Sequence, residues 1–231
     1  LEYTGTGLLA FPLSATRPTS LAQKLTDLAT QAAQESPAGV VSNTSAYDLG
    51  AALAKASITL ESTRCSAIAL QEEIDWACYR GYGVTDHDLA YSHSPPPVSL
   101  GERAFEIVLA RKAAAGELET TWFDRHGSPP TTEPPAHWPV AYRQLVQRRI
   151  DEIERNPNIA LIEQPEYKRR WNTESWDVEL ERSLRSWLLD RLEACFDLDG
   201  RMNDAGKRTA RFDAGLITVA QLADAARSDT D

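Results

Sequence analysis

No stretch of this sequence approaches the ~20 consecutive apolar residues that a membrane-crossing helix needs, and no basic-then-apolar leader opens it. Its cysteines are few and odd in number, Cys65, Cys78 and Cys195, without the CxxC spacing of a zinc or redox site. That pattern predicts reduced, structural thiols in a soluble cytoplasmic protein. Positive charge is also short. With 34 acidic against 24 basic residues, the net charge of -10 excludes a chain whose whole surface grips phosphate. Any contact with nucleic acid must therefore be local.

Catalytic arrangements are missing as well. The histidines are His87, His93, His126 and His137, and none forms HExxH, HxH or a zinc-finger spacing. His87 and His93 stand six apart across a turn, while His126 and His137 fall in a Pro-rich stretch and are expected at the surface. The string Asn156-Pro157-Asn158-Ile159 lacks the second proline and the aromatic residue with which adenine methylation holds an extruded base. Thr4-Gly5-Thr6-Gly7 resembles a glycine-rich phosphate loop, but no strand precedes it and no helix opens directly behind it, so a simple turn is the expectation. No catalytic, cofactor-binding or metal-binding residue is assigned.

What is present is a foldable chain of 231 residues, 42% hydrophobic and 25% charged, close to globular averages. Its periodicity predicts a mainly α fold. Residues 1–17 read as the end of a preceding module, because the chain opens without Met and resembles an excerpt of a longer protein. A hairpin or spacer follows over 18–92. Its first helix begins at Ser20, carries Leu21, Leu25, Leu28 and Ala32 on one stripe, and ends at Ser36-Pro37. A 37–45 loop leads to a second helix over about 45–82, whose Leu49, Leu53, Ala56, Leu60, Thr63, Ala67, Leu70, Ile74 and Ala77 form an a/d seam. At ~1.5 Å per residue that helix is on the order of 50 Å long, and the first is expected to lie antiparallel against part of it.

Thr85 to Tyr91 reads as a short capped turn of helix. Residues 93–139 are Pro-rich connectors flanking one helix over 100–119, and 126–139 is the expected internal boundary. A smaller helical bundle is expected over 140–231. In it Tyr142, Leu145, Val146, Ile150 and Ile153 share a face opposite Arg143, Arg148, Arg149 and Arg155. Residues 159–162 fit a buried strand or a buried turn equally. Trp176, Leu180, Leu184, Trp187, Leu188 and Leu192 stripe a further helix, 197–215 reads as a mobile loop, and Thr218 with Gln221 forms a capping box for a last one.

Two cationic clusters stand beside aromatic rings: Arg148 and Arg149, and Lys168, Arg169 and Arg170 next to Trp171. Guanidinium, ammonium and indole groups together suit a DNA backbone, where phosphates take the charge and rings stack. A solvated or ion-paired helix face would have the same composition.

The string Leu70-Gln71-Glu72-Glu73-Ile74-Asp75-Trp76-Ala77-Cys78-Tyr79-Arg80-Gly81-Tyr82-Gly83-Val84 resembles a segment behind the target-recognition region of TaqI- and Eco57I-like adenine methyltransferases, roughly L-x-x-E-I-D-x-x-V-Y-x-L-Y-G-L. It departs from that pattern at Cys78, Gly81 and Val84. Three more strings narrow the match: Leu100 through Lys112, Pro135-Ala136-His137-Trp138-Pro139, and Ile162-Glu163-Gln164-Pro165-Glu166-Tyr167-Lys168-Arg169-Arg170-Trp171. They are similar to the PglX family, adenine-specific DNA methyltransferases of the phage-growth-limitation branch of BREX antiphage systems. The resemblance implies a C-terminal region whose parent binds S-adenosylmethionine and double-stranded DNA through other parts. It implies no site here. A non-catalytic spacer that helps to hold DNA is the leading expectation, and a module that docks other BREX/Pgl proteins or a phage antagonist is the alternative.

Overall fold

A computed structural model describes residues 12–45, 48–171 and 174–195. Among them lie eight helices and no strand: α1 (Thr19–Glu35), α2 (Pro37–Asn43), α3 (Leu49–Gly81), α4 (Ala104–Ala114), α5 (Trp122–His126), α6 (Val140–Arg155), α7 (Pro157–Ile162) and α8 (Trp176–Cys195). The fold is mainly α, and none of these helices is long and apolar enough to cross a membrane. The glycine-rich turn at 4–7, the 197–215 stretch and the Thr218 capping box lie outside the described residues. The chain divides into a first unit, residues 1–32 with 61–173, and a second, residues 33–60 with 174–231.

In the first unit the C-terminal half of α3 is buried on more than one side. Ala67 and Leu70 of the expected seam are buried, and so are Ile68, Ala69 and Trp76 off it, so a single stripe understates how much of this helix faces protein. The 19–32 part of α1 runs antiparallel to it. Gln31 reaches Thr63 Oγ1 at 3.1 Å, and Ser14 Oγ donates to the Gly81 carbonyl at 2.9 Å. Its stripe of Leu21, Leu25, Leu28 and Ala32 is only half-buried. The centre of the unit is instead α4, where every residue from Ala104 to Ala110 is buried, packed against α6, which in turn packs on α7. A helix apolar all round belongs inside a core.

Residues 85–91 are not helical. Thr85 Oγ1 accepts from the His87 N–H as a cap would, but its proton goes to Glu152 Oε1 at 2.8 Å, and the chain runs on through bends to place Leu89 in the core. The Pro-rich 126–139 stretch lies within the first unit. Trp138 there is 3% exposed and donates its indole N–H to the Pro97 carbonyl at 3.2 Å, so the two Pro-rich segments lie against one another.

Two Xaa-Pro pairs that read as chain breakers are helix starts. Asn156 caps α7 by accepting from the N–H groups of Asn158 and Ile159, with Pro157 in the first turn, which resolves residues 159–162 as helical. Ser36 likewise accepts from Gly39 N–H and caps α2 with Pro37 in its first turn, where a loop had been expected. Proline suits the first turn because its missing N–H would be unsatisfied there anyway. In the second unit α2 buries Pro37, Val40 and Val41 and packs against α8. A Cβ on Gly39 would lie 2.2 Å from the Ala33 carbonyl oxygen, so this close turn requires glycine. On α8, Trp176, Leu180, Leu184 and Trp187 are half-buried, while Leu188 is exposed.

Candidate functional site

The polar centre of the first unit is built from three carboxylates within one turn of α3. Glu72 and Glu73 are buried, and Asp75 is half-buried. Glu73 Oε2 accepts from the Arg149 guanidinium of α6 at 2.6 Å and from the Tyr91 N–H at 2.6 Å. Arg149 also donates from Nε and Nη2 to the Leu89 carbonyl, at 2.9 and 2.7 Å, and lies 5.5 Å from the centre of the Trp76 ring. Both partners are 1% exposed.

Lys168 lies in the irregular segment after α7, and its ammonium meets Asp75 at 2.7 Å, Glu163 at 2.9 Å and Glu72 at 3.5 Å. Tyr79 donates to the same Glu163 oxygen at 2.6 Å. A third pair closes the arrangement. Arg103 binds Glu106 through two guanidinium nitrogens at 3.0 and 2.8 Å and donates to the Arg169 carbonyl at 2.9 Å. Glu106 also accepts from the Trp122 indole at 3.0 Å and from the N–H of Gly101 at 2.8 Å. Gly101 has φ +91°, and a Cβ there would sit 2.5 Å from the Pro129 carbonyl oxygen, so only glycine brings this N–H so close.

The electrostatics follow from one ammonium shared by three carboxylates. Burial opposes the charge on Lys168, but Glu72, Glu163 and Asp75 outweigh it and hold the ammonium well above its usual range. Burial of Glu72, opposed by Lys168 and reinforced by Glu163 and Asp75, pushes its carboxyl up to about 7. Burial and the neighbouring Glu163 also raise the Tyr79 phenol. Near neutral pH Lys168 stays charged and Tyr79 protonated, and Glu72, whose carboxyl exchanges its proton in that range, is 3% exposed and out of reach of a substrate. This cluster suits holding segments together.

The six residues expected at a DNA backbone are therefore separated by the fold. Arg149 and Lys168 are 1% and 7% exposed and are engaged with carboxylates inside, which removes them from the groups that can reach a phosphate in this structure. Burying them unpaired would cost several kcal/mol, and their carboxylates prevent that. Arg148, Arg169 and Arg170 are exposed and Trp171 is half-buried, with the Arg169 guanidinium 4.2 Å above the Trp171 ring.

The burial of Arg149 had a signal in the sequence. It falls seven residues after Tyr142, four after Leu145 and three after Val146, on the apolar stripe itself. Lys168 has none, because it sits on no regular element. His126, expected at the surface, is 8% exposed; its ring stacks on Trp122 at 3.8 Å and its Nδ1 lies 2.7 Å from the Trp122 carbonyl. His137 is exposed. Among the described residues no group of three or more His, Cys, Asp or Glu side chains could hold a metal ion.

Beside the ion-pair cluster opens a cleft of about 670 Å³ between α4, α5 and α7, with Phe105, Trp122 and Ile153 among its walls. Lys112, Arg125 and Arg170 also line it.

The strings that carried the resemblance are thus the ones that meet in the interior: Glu72, Glu73 and Asp75 from the first, Arg103 and Glu106 from the second, Trp138 from the third, Glu163 and Lys168 from the fourth. The whole chain is 47% identical to the C-terminal part of the adenine-specific methyltransferase PglX of Streptomyces coelicolor, over an alignment of 235 residues. That alignment covers 100% of this chain and 18% of the relative, so the chain spans less than a fifth of the protein it matches. No solved structure matches it. Residues 67–231 match DUF7008, described as a domain of unknown function, and the chain belongs to that family.

Proposed function

We propose that the chain is the C-terminal segment of an adenine-specific DNA methyltransferase of a phage-growth-limitation (BREX/Pgl) antiphage system, and that it serves there as a non-catalytic part that spaces modules and helps to hold double-stranded DNA. The observation that carries this reading is the 47% identity to PglX over the whole chain. The side chains add support. Of the six residues expected at DNA, Arg149 and Lys168 are engaged in ion pairs, and the exposed Arg148, Arg169 and Arg170, with Trp171 alongside, remain to meet phosphates. Such contacts position an enzyme on DNA without reading sequence. S-adenosylmethionine and the catalytic motif would belong to the part of the parent outside this chain, and no residue here is assigned to them.

The test is the salt dependence of DNA binding by the full-length parent with Arg148→Ala, Arg169→Ala and Arg170→Ala combined. Each lost phosphate contact should flatten the slope of log affinity against log salt by about 0.9. An unchanged slope rejects the DNA-holding role, and if the same variant loses association with another Pgl protein, the docking alternative takes its place.

A further inference from the structure

The cleft beside α4, α5 and α7 shares only Arg170 with that reading. Its walls mix apolar and polar side chains, and on the apolar side Phe105, Leu109 and Ile153 stand with the Trp122 indole, which stacks on His126 at an interplanar angle of 25°. Three cations from three separate segments line it: Lys112 near the end of α4, Arg125 on α5 and Arg170 beyond α7. All three are exposed, and none is in an ion pair among the described residues. Carboxylates line it too. Glu119 and Glu166 are exposed, and Glu163, 3% exposed, has one oxygen on Lys168 and Tyr79 and the other without a partner. His126, more than nine-tenths buried, has no partner for Nε2.

We propose that this cleft binds a nucleoside phosphate. A cleft of this size suits a small organic ligand. Flat aromatic and apolar walls match a ring system, lysine and arginine match a phosphate, and carboxylates match the amino group of a base. A bare anion would gain nothing from the apolar walls, and a hydrocarbon nothing from the cations. The same chemistry is presented by a free mononucleotide and by a nucleotide in an unpaired DNA strand. The proposal stands without the DNA-holding reading, although Arg170 serves both.

The experiment is calorimetric titration of the full chain with adenosine monophosphate, inorganic phosphate, a short single-stranded oligo-deoxyadenylate and duplex DNA. Lys112→Ala, Arg125→Ala and Arg170→Ala together should weaken adenosine monophosphate binding at least ten-fold. These side chains are exposed, so circular dichroism should show the fold retained. Lys24→Ala, which is exposed and does not line the cleft, should change nothing. Inorganic phosphate should bind at least ten-fold more weakly than the nucleotide. A tighter oligonucleotide assigns the cleft to a strand, and a tighter mononucleotide assigns it to a free ligand. The proposal is overturned if neither nucleotide form binds, if the triple variant binds as well as the parent, or if phosphate alone matches the nucleotide. Duplex binding without nucleotide binding removes the cleft and leaves the DNA-holding reading intact; nucleotide binding without duplex binding does the reverse.

Discussion

The two units handle charge in opposite ways. In the first, Arg149 with Glu73, Arg103 with Glu106, and Lys168 with its three carboxylates are sunk among Trp76, Phe105 and Tyr142. In the second, the residues described as buried are the apolar or near-apolar Pro37, Val40, Val41 and Ala56, while the ion pairs of α8, Arg182 with Glu174 and Arg185 with Glu181, have side chains more than half exposed. The second unit can use any compatible apolar set to close. The first closes only when particular charges meet. Apolar contacts tolerate slippage, whereas a buried charge that misses its partner is penalised by several kcal/mol.

The largest expected effect breaks that interior. Arg149→Met strands the Glu73 carboxylate and should cost about 3–5 kcal/mol in urea unfolding followed by tryptophan fluorescence. Adding Glu73→Gln, which keeps an acceptor for the Tyr91 N–H, should recover part of the loss. Failure to recover would mean that shape, and not the orphaned charge, sets the cost.

A smaller effect concerns pH. Glu72 is held protonated to about 7, above its ordinary carboxylate value, so the folded state binds its proton more tightly than the unfolded chain does. Its contribution is therefore fully present below the unfolded value and lost as pH rises through about 7. The groups facing it are Lys168 and Arg103, which attract the ionised form, and Glu163 and Asp75, which repel it. Glu72→Gln should flatten the decline in melting temperature between pH 5 and pH 8, and an unchanged profile would place the titration elsewhere. The smallest effect sharpens the contrast from the other side. Arg185→Ala removes a pair whose side chains are 74% and 75% exposed and should shift stability by about 0.5 kcal/mol or less.

Much of the fold was legible. The stripe Leu21, Leu25, Leu28 and Ala32 marks the inward side of α1, and Tyr142, Leu145, Val146, Ile150 and Ile153 mark that of α6, because a 3.6-residue period projects directly onto one helical face. Ser36-Pro37 and Asn156-Pro157 were ambiguous, since proline both ends one helix and opens the next; what decides is whether the preceding side chain caps the following amides. The site was legible only in pieces. Polar letters at 72, 73 and 168 read as surface when each is taken alone, because burial of a charge depends on a partner that is distant in the chain, whereas Arg149 stands on an apolar stripe.

Local pattern alone determined that this protein is helical and where its apolar stripes run. Those properties arise from neighbours three or four residues apart. Tertiary structure decided which cations are free and which are locked inside, because Arg149 meets Glu73 and Lys168 meets Asp75 across 76 and 93 residues of chain, and only the folded packing sets such distances.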